Sequence, residues 1–391
     1  MSRQTYKGVA LVAPVTVPYR RYSTRDAHWW IARALARLLK DTGLNKDDID
    51  GLGISSFTLA PDTAVGLTQH LGMSLRWLDH VPMGGASGIV CLRRAARAVQ
   101  SGDAEIVACI AGDTNHVDTF RRTLSTFSRF AQDAVYPYGS GGPNASFAFI
   151  TDWWMREFGV QREDFGKLCV AQRRNAMNNP YALLRKPLDL DDYLGARMIA
   201  EPLRLFDCVM PCAGADAYLV MTAERADALG LESVRLLGAI ERHNAFPDDP
   251  VQMRGGWALD RDELWAQAGV GPGDMDFFQA YDDYPVITLM QIEELGFCPS
   301  GEGAAFVREH EFSYDGDCPL NTCGGQLSMG QAGSAGGFLG LVEALRQLLR
   351  CPLGRQVADA AHGAVSGFGM INYDRGLCSA AAVLARSDAA I

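Results

Sequence analysis

Apolar residues along the chain follow two spacings, one typical of helices and the other typical of strands. Within residues 81–113, apolar residues that recur every three or four positions predict a helix with one apolar face: Ile89, Leu92, Ala96 and Val99. Ser101-Gly102-Asp103 ends this helix, and the following EIVACIAG predicts a buried strand. A Gly pair at 84–85 precedes the helix. The segment therefore predicts a strand, a tight turn, a helix and a second strand.

The residues before this segment continue the alternation. KGVALVAPVTVPY and IDGLGISSF predict two strands. Between them, apolar spacing predicts an amphipathic helix that is capped by Ser23 and ends near Gly43. The pattern of residues 61–71 predicts another helix. Strands alternating with helices indicate a layered α/β architecture.

The rest of the chain divides into an irregular stretch and a second alternating half. Residues from about 114 to 206 carry much of the aromatic and Arg content, in several segments ended by Pro, which indicates an insertion. The second half opens with the strand SVRLLGAIE and closes with the strands HGAVSGFGMINY and GLCSAAAVLA. Helical patterns and a Gly-rich segment, NTCGGQLSMGQAGSAGG, lie between them. Two similar halves indicate a duplicated fold.

Composition narrows the class of protein. The chain has 391 residues, 48% of them hydrophobic, which suffices for one large or two medium domains. A net charge of −10 argues against nucleic acid as the main partner. The 10 cysteines are single, with no CxxC pair and no paired metal-ligand spacing, so we expect no metal and a reducing, cytoplasmic location. No apolar run has the length of a membrane span, and the first residues lack the order of a signal peptide.

The turn before the first-half helix resembles the nucleophile turn of the thiolase superfamily. In that family a reactive Cys precedes Ala/Thr-Ser-Gly; here Ala86-Ser87-Gly88 match and Gly85 takes the position of the Cys. The chain is similar to the sterol-carrier and lipid-transfer (SCP-x thiolase-like) branch in three short segments, NNPYA, RKPL and EPLRLFD. The resemblance implies an α/β thiolase fold, a duplicated five-layer αβαβα structure with an inserted loop domain.

The resemblance also implies domain boundaries. Residues 1–113 would form the N-terminal thiolase half, completed by about 207–232. Residues 114–206 would form a loop domain covering the active site, and 233–391 the C-terminal half.

Three positions depart from the thiolase pattern. Gly85 replaces the nucleophile, and Gln331 stands where the Gly-His-Pro motif has its His. The last loop, VSGFG, lacks the second catalytic Cys, and Ser366 is its nearest polar replacement. An amide cannot transfer a proton and an unactivated hydroxyl is a poor acid or base. We therefore do not expect ordinary thiolysis through an acyl-Cys.

The groups that bind a thioester oxygen would be retained. The Gly85 N–H, together with that of Gly367 or Gly369, would hold one oxygen, and the Gln331 amide would hold a second. Glycines 324–337, with Gly324 and Gly325 among them, would keep the backbone close to the ligand. The alternative is that these glycines only form tight turns between packed layers.

Tyr281 is the leading catalytic candidate by this resemblance. AYDDY stands where thiolases have Asn-Glu-Ala-Phe and the sterol-carrier branch has His-Asp-Cys-Phe. Thiolase-like aldolases that cleave side chains from steroid acyl-CoA esters also lack the Cys and rely on tyrosine. Tyr281 would then move a proton in a retro-aldol step if its pKa is lowered; otherwise its ring simply packs in the core. Asp282 and Asp283 are expected to be a turn cap or solvated acids.

Further positions are weaker candidates. His116 is either a polar residue of the pocket or part of a loop surface, and His362 lies near a His-Gly of the aldolase relatives. Asn321 is expected to fix the turn at Gly324 and Gly325, and Cys323 to face the pocket. Cys91 lies within a helix, where a thiol is usually packed and inert. Five arginines are possible partners of coenzyme A phosphates, or else charged loop faces: Arg121, Arg122, Arg129, Arg173 and Arg174.

These expectations favour an enzyme that makes or breaks a carbon–carbon bond of an acyl-CoA by retro-aldol chemistry. Two alternatives stay open: an acyltransferase or condensing enzyme of thiolase type, and a non-catalytic acyl-CoA or lipid-transfer subunit of a complex with a small OB-fold, zinc-ribbon partner. Coenzyme A is expected as part of the substrate, with no bound cofactor and no membrane insertion. The family also implies a homodimer, with the strand EIVACIAG pairing across a two-fold axis.

Overall fold

The computed structural model describes residues 5–116, 136–139, 142–372 and 375–390. Its strands are β1 Val9–Arg20, β2 Gly51–Ser55, β3 Trp77–His80, β4 Ile106–Asp113, β5 Met198–Ala200, β6 Leu203–Arg204, β7 Ala213–Thr222, β8 Val234–His243, β9 Phe277–Gln279, β10 His362–Asn372 and β11 Arg375–Arg386. Its helices are α1 Ala27–Thr42, α2 Ala64–Leu71, α3 Ser87–Ser101, α4 Pro143–Phe158, α5 Arg162–Met177, α6 Leu190–Gly195, α7 Ala223–Ala228, α8 Trp257–Ala268, α9 Pro285–Glu294, α10 Gly303–Glu309, α11 Gly325–Met329 and α12 Gly336–Leu348.

Nine strands form a mixed sheet in the order β3-β2-β4-β7-β1-β8-β11-β10-β9. The first half of the chain supplies one side of this order and the second half supplies the other. The two sides meet at β1 and β8, which pair only at Ala10↔Arg235 and Leu11↔Val234. The sheet is thus two half-sheets joined by a short seam, as the duplicated sequence pattern predicts.

Three hydrophobic clusters separate the layers. The first packs α1 on the outer face of the first half-sheet through Trp30 and Ile31. The second places α3 and α12 between the half-sheets, and the third places α8 and α9 outside the second half-sheet. The resulting order is helix, sheet, helix, sheet, helix. This agrees with the α/β fold expected from the sequence.

The sequence predicted the C-terminal end of α1 correctly but not its N-cap. The helix ends at Gly43 in the left-handed conformation with φ 72°, which glycine adopts without a steric penalty. Its N-cap, however, is Asp26 and not Ser23. The Ser23 hydroxyl instead accepts a hydrogen bond from the Arg25 N–H at 2.9 Å, so it closes a turn before the helix begins.

The predicted insertion corresponds to α4, α5, α6 and the two-stranded β5–β6 sheet, all between β4 and β7. Asn175 of α5 ties this segment to the second half, because its amide donates to the Leu320 carbonyl at 2.9 Å. Tyr284, just before α9, donates to the Asn144 side chain of α4 at 2.5 Å. The domain boundaries drawn from the sequence stay a prediction.

The expected role of EIVACIAG in dimerisation is wrong. This segment contains β4, which pairs in parallel with β2 on one side and antiparallel with β7 on the other. Both edges of β4 are therefore occupied, and it cannot pair with a second copy. All eight of its residues are buried, as expected for a central strand covered on both faces. The edge strand on this side of the sheet is β3.

The described ranges contain neither a helix that could span a membrane nor a metal-binding cluster. No helix there is both long and apolar enough to span the hydrocarbon core of a membrane. No cluster of three or more His, Cys, Asp or Glu side chains there has the arrangement needed to hold a metal ion.

Candidate active site

Gly85 lies directly beneath the ring of Tyr281. It belongs to a single 3₁₀ turn, Gly84–Ala86, immediately before α3, and the whole turn is buried. A Cβ atom at position 85 would lie 2.1 Å from Cε2 and Cζ of Tyr281 and 2.3 Å from the Phe368 carbonyl oxygen. Contacts that short do not occur between real atoms. The aromatic ring thus occupies the space in which a nucleophilic side chain at position 85 would stand.

Gln331 lies beside the hydroxyl of Tyr281. Its Nε2 donates to the Tyr281 oxygen at 3.1 Å, which leaves the phenol proton available to another acceptor. The backbone of Gln331 is held by residues at the end of the insertion: its N–H donates to Met210 O, and its carbonyl accepts from Cys212 N–H, each at 2.9 Å. The structure therefore brings Gly85, Tyr281 and Gln331 together, as the sequence predicts.

The expectation of a lowered Tyr281 pKa is not met. The side chain is 7% exposed, and burial raises the pKa of Tyr281 well above its ordinary value because the phenolate would lose its hydration. The hydrogen bond from Gln331 opposes this shift only in part. Tyr281 is therefore a neutral phenol in the resting protein.

Ser366, in β10, contacts Tyr281 indirectly, through the side chain of Gln291. Its hydroxyl donates to Gln291 Oε1 at 2.5 Å, and the same oxygen accepts the Tyr281 N–H at 3.1 Å. The Gln291 amide in turn donates to the Tyr281 carbonyl at 2.7 Å. Ser366 thus lies near the site, and its hydroxyl fixes the Tyr281 backbone through Gln291.

Gly367 and Gly369 pack on the turn that carries Gly85. A Cβ at Gly367 would lie 2.6 Å from the Gly85 carbonyl oxygen, and one at Gly369 would lie 2.7 Å from the Gly85 nitrogen. Only glycine permits this backbone-to-backbone approach. The three glycines predicted to bind a thioester oxygen therefore form one contiguous surface of main chain beside Tyr281.

Asp282 turns away from Tyr281 and caps α11. Its carboxylate accepts the N–H groups of Gln326 at 2.8 Å and Leu327 at 3.3 Å. Gly325 has φ +57°, and a Cβ there would lie 2.0 Å from Asp282 Oδ2, so glycine is required for the carboxylate to reach the helix. The turn-cap interpretation is correct, but the residue is buried, and burial raises the pKa of Asp282 to about 7.

Asp283 is also buried, which the interpretation as a solvated acid did not anticipate. It is 7% exposed, and its Oδ1 has no hydrogen-bond partner among the described residues. Burial raises the pKa of Asp283 well above its ordinary value. Both acids after Tyr281 are thus enclosed by protein because α9, which follows them, is buried along its whole length.

Asp113 holds the segment that carries Gln331. Its Oδ2 accepts the Ser334 N–H at 2.7 Å, and a Cβ at Gly333 would lie 2.3 Å from the same atom. Its Oδ1 accepts four hydrogen bonds from Ser56, Phe57 and Thr58 at 2.6–2.9 Å. One buried carboxylate therefore joins the end of β4 to the Gly-rich segment before α12.

Asn321 and Cys323 line a small cavity beside Tyr281. Asn321 has φ +48°, and its carbonyl accepts the Gly324 N–H at 2.8 Å, so it fixes the turn at Gly324 and Gly325 as predicted. Gly324 has φ +108° and packs against Ala176 of α5. Cys323 lines the cavity, but burial raises the pKa of its thiol well above the ordinary value, so it is no nucleophile.

His362 lies away from Tyr281. It begins β10, pairs with Ala385, and its backbone N–H donates to Asp276 at 2.9 Å. It precedes Ser366 by four residues, roughly 13 Å along an extended strand. His116 is exposed at the end of a described range.

The candidate arginines that the structure describes, and Cys91, make other contacts. Arg173 is 5% exposed and donates to Ser328 Oγ at 2.9 Å, and Arg174 pairs with Asp315 at 2.9 Å. Arg121, Arg122 and Arg129 lie outside the described residues. Cys91 is fully buried, and a hydrogen bond with Cys109 together with burial raises the pKa of its thiol, so it is inert as expected.

Sequence reasoning missed Gln291, Gln326 and Asp113, whose side chains position the site or lie within it. A signal existed for Gln291, because it is the amide in the middle of an otherwise largely apolar helical segment. Such a residue is buried and hydrogen-bonded when the helix is covered on all sides. Asp113 and Gln326 carry no comparable local signal, since their partners are distant in the sequence.

Comparison with known proteins agrees with this geometry. The family model described as "Thiolase C-terminal domain-like" matches residues 261–382. A 17-hydroxy-3-oxo-4-pregnene-20-carboxyl-CoA lyase of Mycobacterium tuberculosis is 32% identical over 360 residues, covering 87% of this chain and 91% of the relative. A steroid side-chain-cleaving aldolase of Thermomonospora curvata is 31% identical over 357 residues, covering 87% and 90%.

A solved structure is similar over the full length. The structure described as an Ltp2-ChsH2(DUF35) aldolase superposes with a TM-score of 0.83 at 26% identity. The match covers 99% of this chain and 100% of that chain. The likeness therefore includes the inserted segment as well as the two halves.

Proposed function

This chain belongs to the thiolase superfamily, alongside thiolase-like steroid side-chain aldolases, and on that premise we propose that it cleaves a carbon–carbon bond of a β-hydroxyacyl-CoA. The reaction is a retro-aldol cleavage without an acyl-Cys intermediate. The observation that carries this proposal is the Tyr281 ring, which fills the space of a thiol at position 85.

The proposed reaction balances without a co-reactant. The β-hydroxyl gives its proton to solvent, and the bond between Cα and Cβ breaks, leaving a ketone or an aldehyde. The electron pair of that bond passes into the thioester as an enolate. The enolate then takes a proton at Cα, which gives a shorter acyl-CoA.

Tyr281 acts as the acid in this scheme. Its hydroxyl accepts from Gln331 and has its own proton free for the enolate. A neutral phenol suits this step, because a thioester enolate is a far stronger base than a phenolate. The main chain of Gly85, Gly367 and Gly369 lies alongside, where backbone N–H groups would stabilise the developing oxyanion.

The test is product analysis with purified protein. β-Hydroxyacyl-CoA esters should yield a ketone or an aldehyde and a shorter acyl-CoA. Tyr281→Phe should lower kcat roughly 100- to 10,000-fold, the contribution typical of one general acid, while substrate binding is kept. Tyr284→Phe is the matched control, since that buried phenol donates to Asn144 instead.

Other outcomes would contradict the proposal. Acyl transfer from acetyl-CoA that survives blocking of accessible thiols would point to a condensing enzyme. Binding of acyl-CoA without turnover, even with a small partner protein present, would point to a transfer subunit.

We further propose that the chain works as a homodimer together with a small partner protein. The partner is suggested by the similar structure, whose description names an aldolase with ChsH2(DUF35). The homodimer is suggested by β3, an edge strand whose Leu78 is 36% exposed. The ten cysteines are free thiols, which supports a reducing, cytoplasmic location.

A further inference from the structure

A cavity of about 10 Å³ lies behind Tyr281, beside Asp282, Asn321 and Gln326. That volume admits one water molecule. Asn321 and Gln326 are each 2% exposed. Asn321 Nδ2 and both amide atoms of Gln326 have no hydrogen-bond partner within the part of the chain that the structure describes. Buried polar atoms of this kind are normally satisfied by protein or by ordered water.

The Asn321 amide lies near the Asp282 carboxylate. The position that a Cβ would take on Gly325 lies 3.0 Å from Asn321 Nδ2 and 2.0 Å from Asp282 Oδ2. The two atoms are therefore at most about 5 Å apart, which a single water can bridge with two hydrogen bonds. The absence of a side chain at Gly325 leaves this approach open.

The Gln326 amide also lines the cavity, beside Gly336. The position of a Cβ on Gly336 would be 2.3 Å from Gln326 Oε1 and 3.2 Å from Gln331 Cγ. Gln326 is thus next to the side chain that bonds the Tyr281 hydroxyl. Its amide is close enough to lower the pKa of both Tyr281 and Asp282, although it meets neither at full hydrogen-bond geometry.

We propose that the cavity holds one ordered water, bound by Asn321 and Gln326, through which Asp282 returns a proton to Tyr281. The proposal deepens the retro-aldol function and rests on it. Asp282 does not contact the substrate, so it is a positioning residue that acts through Tyr281.

Protons are conserved over one turnover. Tyr281 gives its proton to Cα of the enolate and becomes a phenolate. Asp282 neutralises the phenolate through the water and becomes a carboxylate. The carboxylate regains, by way of solvent, the proton that left the β-hydroxyl. No other reactant is consumed.

The electrostatics of the site support this role. Because burial raises the pKa of Asp282 to about 7, the carboxyl exchanges its proton near neutral pH, which suits a proton store. The titratable groups that face it are Asp283, Tyr281, Cys169 and Cys323. Burial raises the pKa of all four groups.

Infrared spectroscopy of the substrate-free full chain tests the proton store directly. We expect a protonated-carboxyl band that disappears as the pH rises through about 7. Burial also raises the pKa of Glu294 to about 7, so the Asp282 band is read from difference spectra. The difference between wild type and Asp282→Asn should contain a band that titrates near pH 7, and the difference between wild type and Asp283→Asn should not. A wild-type minus Asp282→Asn difference without such a band would overturn the assignment.

Gln326→Leu tests the water link and keeps the backbone N–H that Asp282 caps. The band should shift in frequency, and kcat should fall roughly 100-fold at an unchanged KM. The loss should be strongest below pH 7, where Asp282 still carries the proton that the water would deliver. An unchanged band and an unchanged pH profile would refute the link. If no β-hydroxyacyl-CoA is cleaved, the proposed function fails while the infrared result still decides the proton store.

Discussion

Adding one carbon at Gly85 should disable the site. Gly85 does not have a positive φ, so Gly85→Ala carries no conformational penalty of that kind. Its new Cβ would stand 2.1 Å from the Tyr281 ring, where ordinary contacts begin at 3.4 Å. The ring must therefore retreat by about 1.3 Å, the difference between these distances.

This displacement sets the expected magnitudes. Tyr281 now lies 3.1 Å from Gln331 Nε2, so a shift of that size breaks the hydrogen bond. A misplacement of about 1 Å at a reacting group costs roughly 100-fold in rate. Overpacking in a buried site costs about 1–3 kcal/mol of folding stability. We expect kcat to fall about 100-fold and the stability to fall within that range.

Retro-aldol turnover and denaturant unfolding measure the two effects. A double-mutant cycle with Tyr281→Ala supplies the control, because removing the ring removes most of the clash. In the Tyr281→Ala background, Gly85→Ala should lower the folding stability by less than it does in the wild-type protein. The stability loss that remains reflects the clash with the Phe368 carbonyl oxygen 2.3 Å away.

Gly85→Cys gives the sharpest opposing outcome. It should be destabilised like Gly85→Ala and should not become acylated by acetyl-CoA. A stable Gly85→Cys protein that forms an acyl-enzyme would show that the ring does not fill the nucleophile position, and our reasoning about the site would fail.

Three further predictions concern the surrounding framework. Asp113→Asn should lower the unfolding free energy by about 1–3 kcal/mol, because an amide leaves at least one buried N–H donor unpaired. Chemical denaturation measures this loss, and a variant as stable as the wild type would contradict the prediction. Burial raises the pKa of Asp216 from 3.8 to about 6, so the folded state holds this proton more tightly and loses about 3 kcal/mol of stability as the pH rises from about 4 to above 6. Asp216→Asn should remove that decline in pH-dependent denaturation curves, and an identical curve would refute it. Leu78→Lys should convert the proposed dimer to monomer in sedimentation experiments, because it places like charges across the β3 edge. A variant that is still a dimer would exclude β3 as the contact.

The positions of most helices and strands follow from local patterns. The spacing of Ile89, Leu92 and Val99 identifies α3, and Gly43 in the left-handed conformation ends α1. These features depend on neighbours within a few residues, so the sequence contains the information. The N-cap of α1 was misplaced because Ser23 and Asp26 are both good caps, and only the packed structure selects between them.

The sequence by itself also determined which chemistry is missing, since Gly85 carries no thiol and Gln331 carries no imidazole. Only the tertiary structure decided what takes their place. It placed the Tyr281 ring over Gly85, enclosed Asp282 in protein, made β4 a central strand and kept His362 away from the site.

The physical reason is that each of these properties depends on groups far apart in the chain. The pKa of a carboxyl or a phenol reflects how much water the rest of the fold removes from it. The pairing of a strand reflects which other strands reach its edges. A residue type and its immediate neighbours specify a local conformation, while burial and neighbouring charge arise only when distant segments pack together.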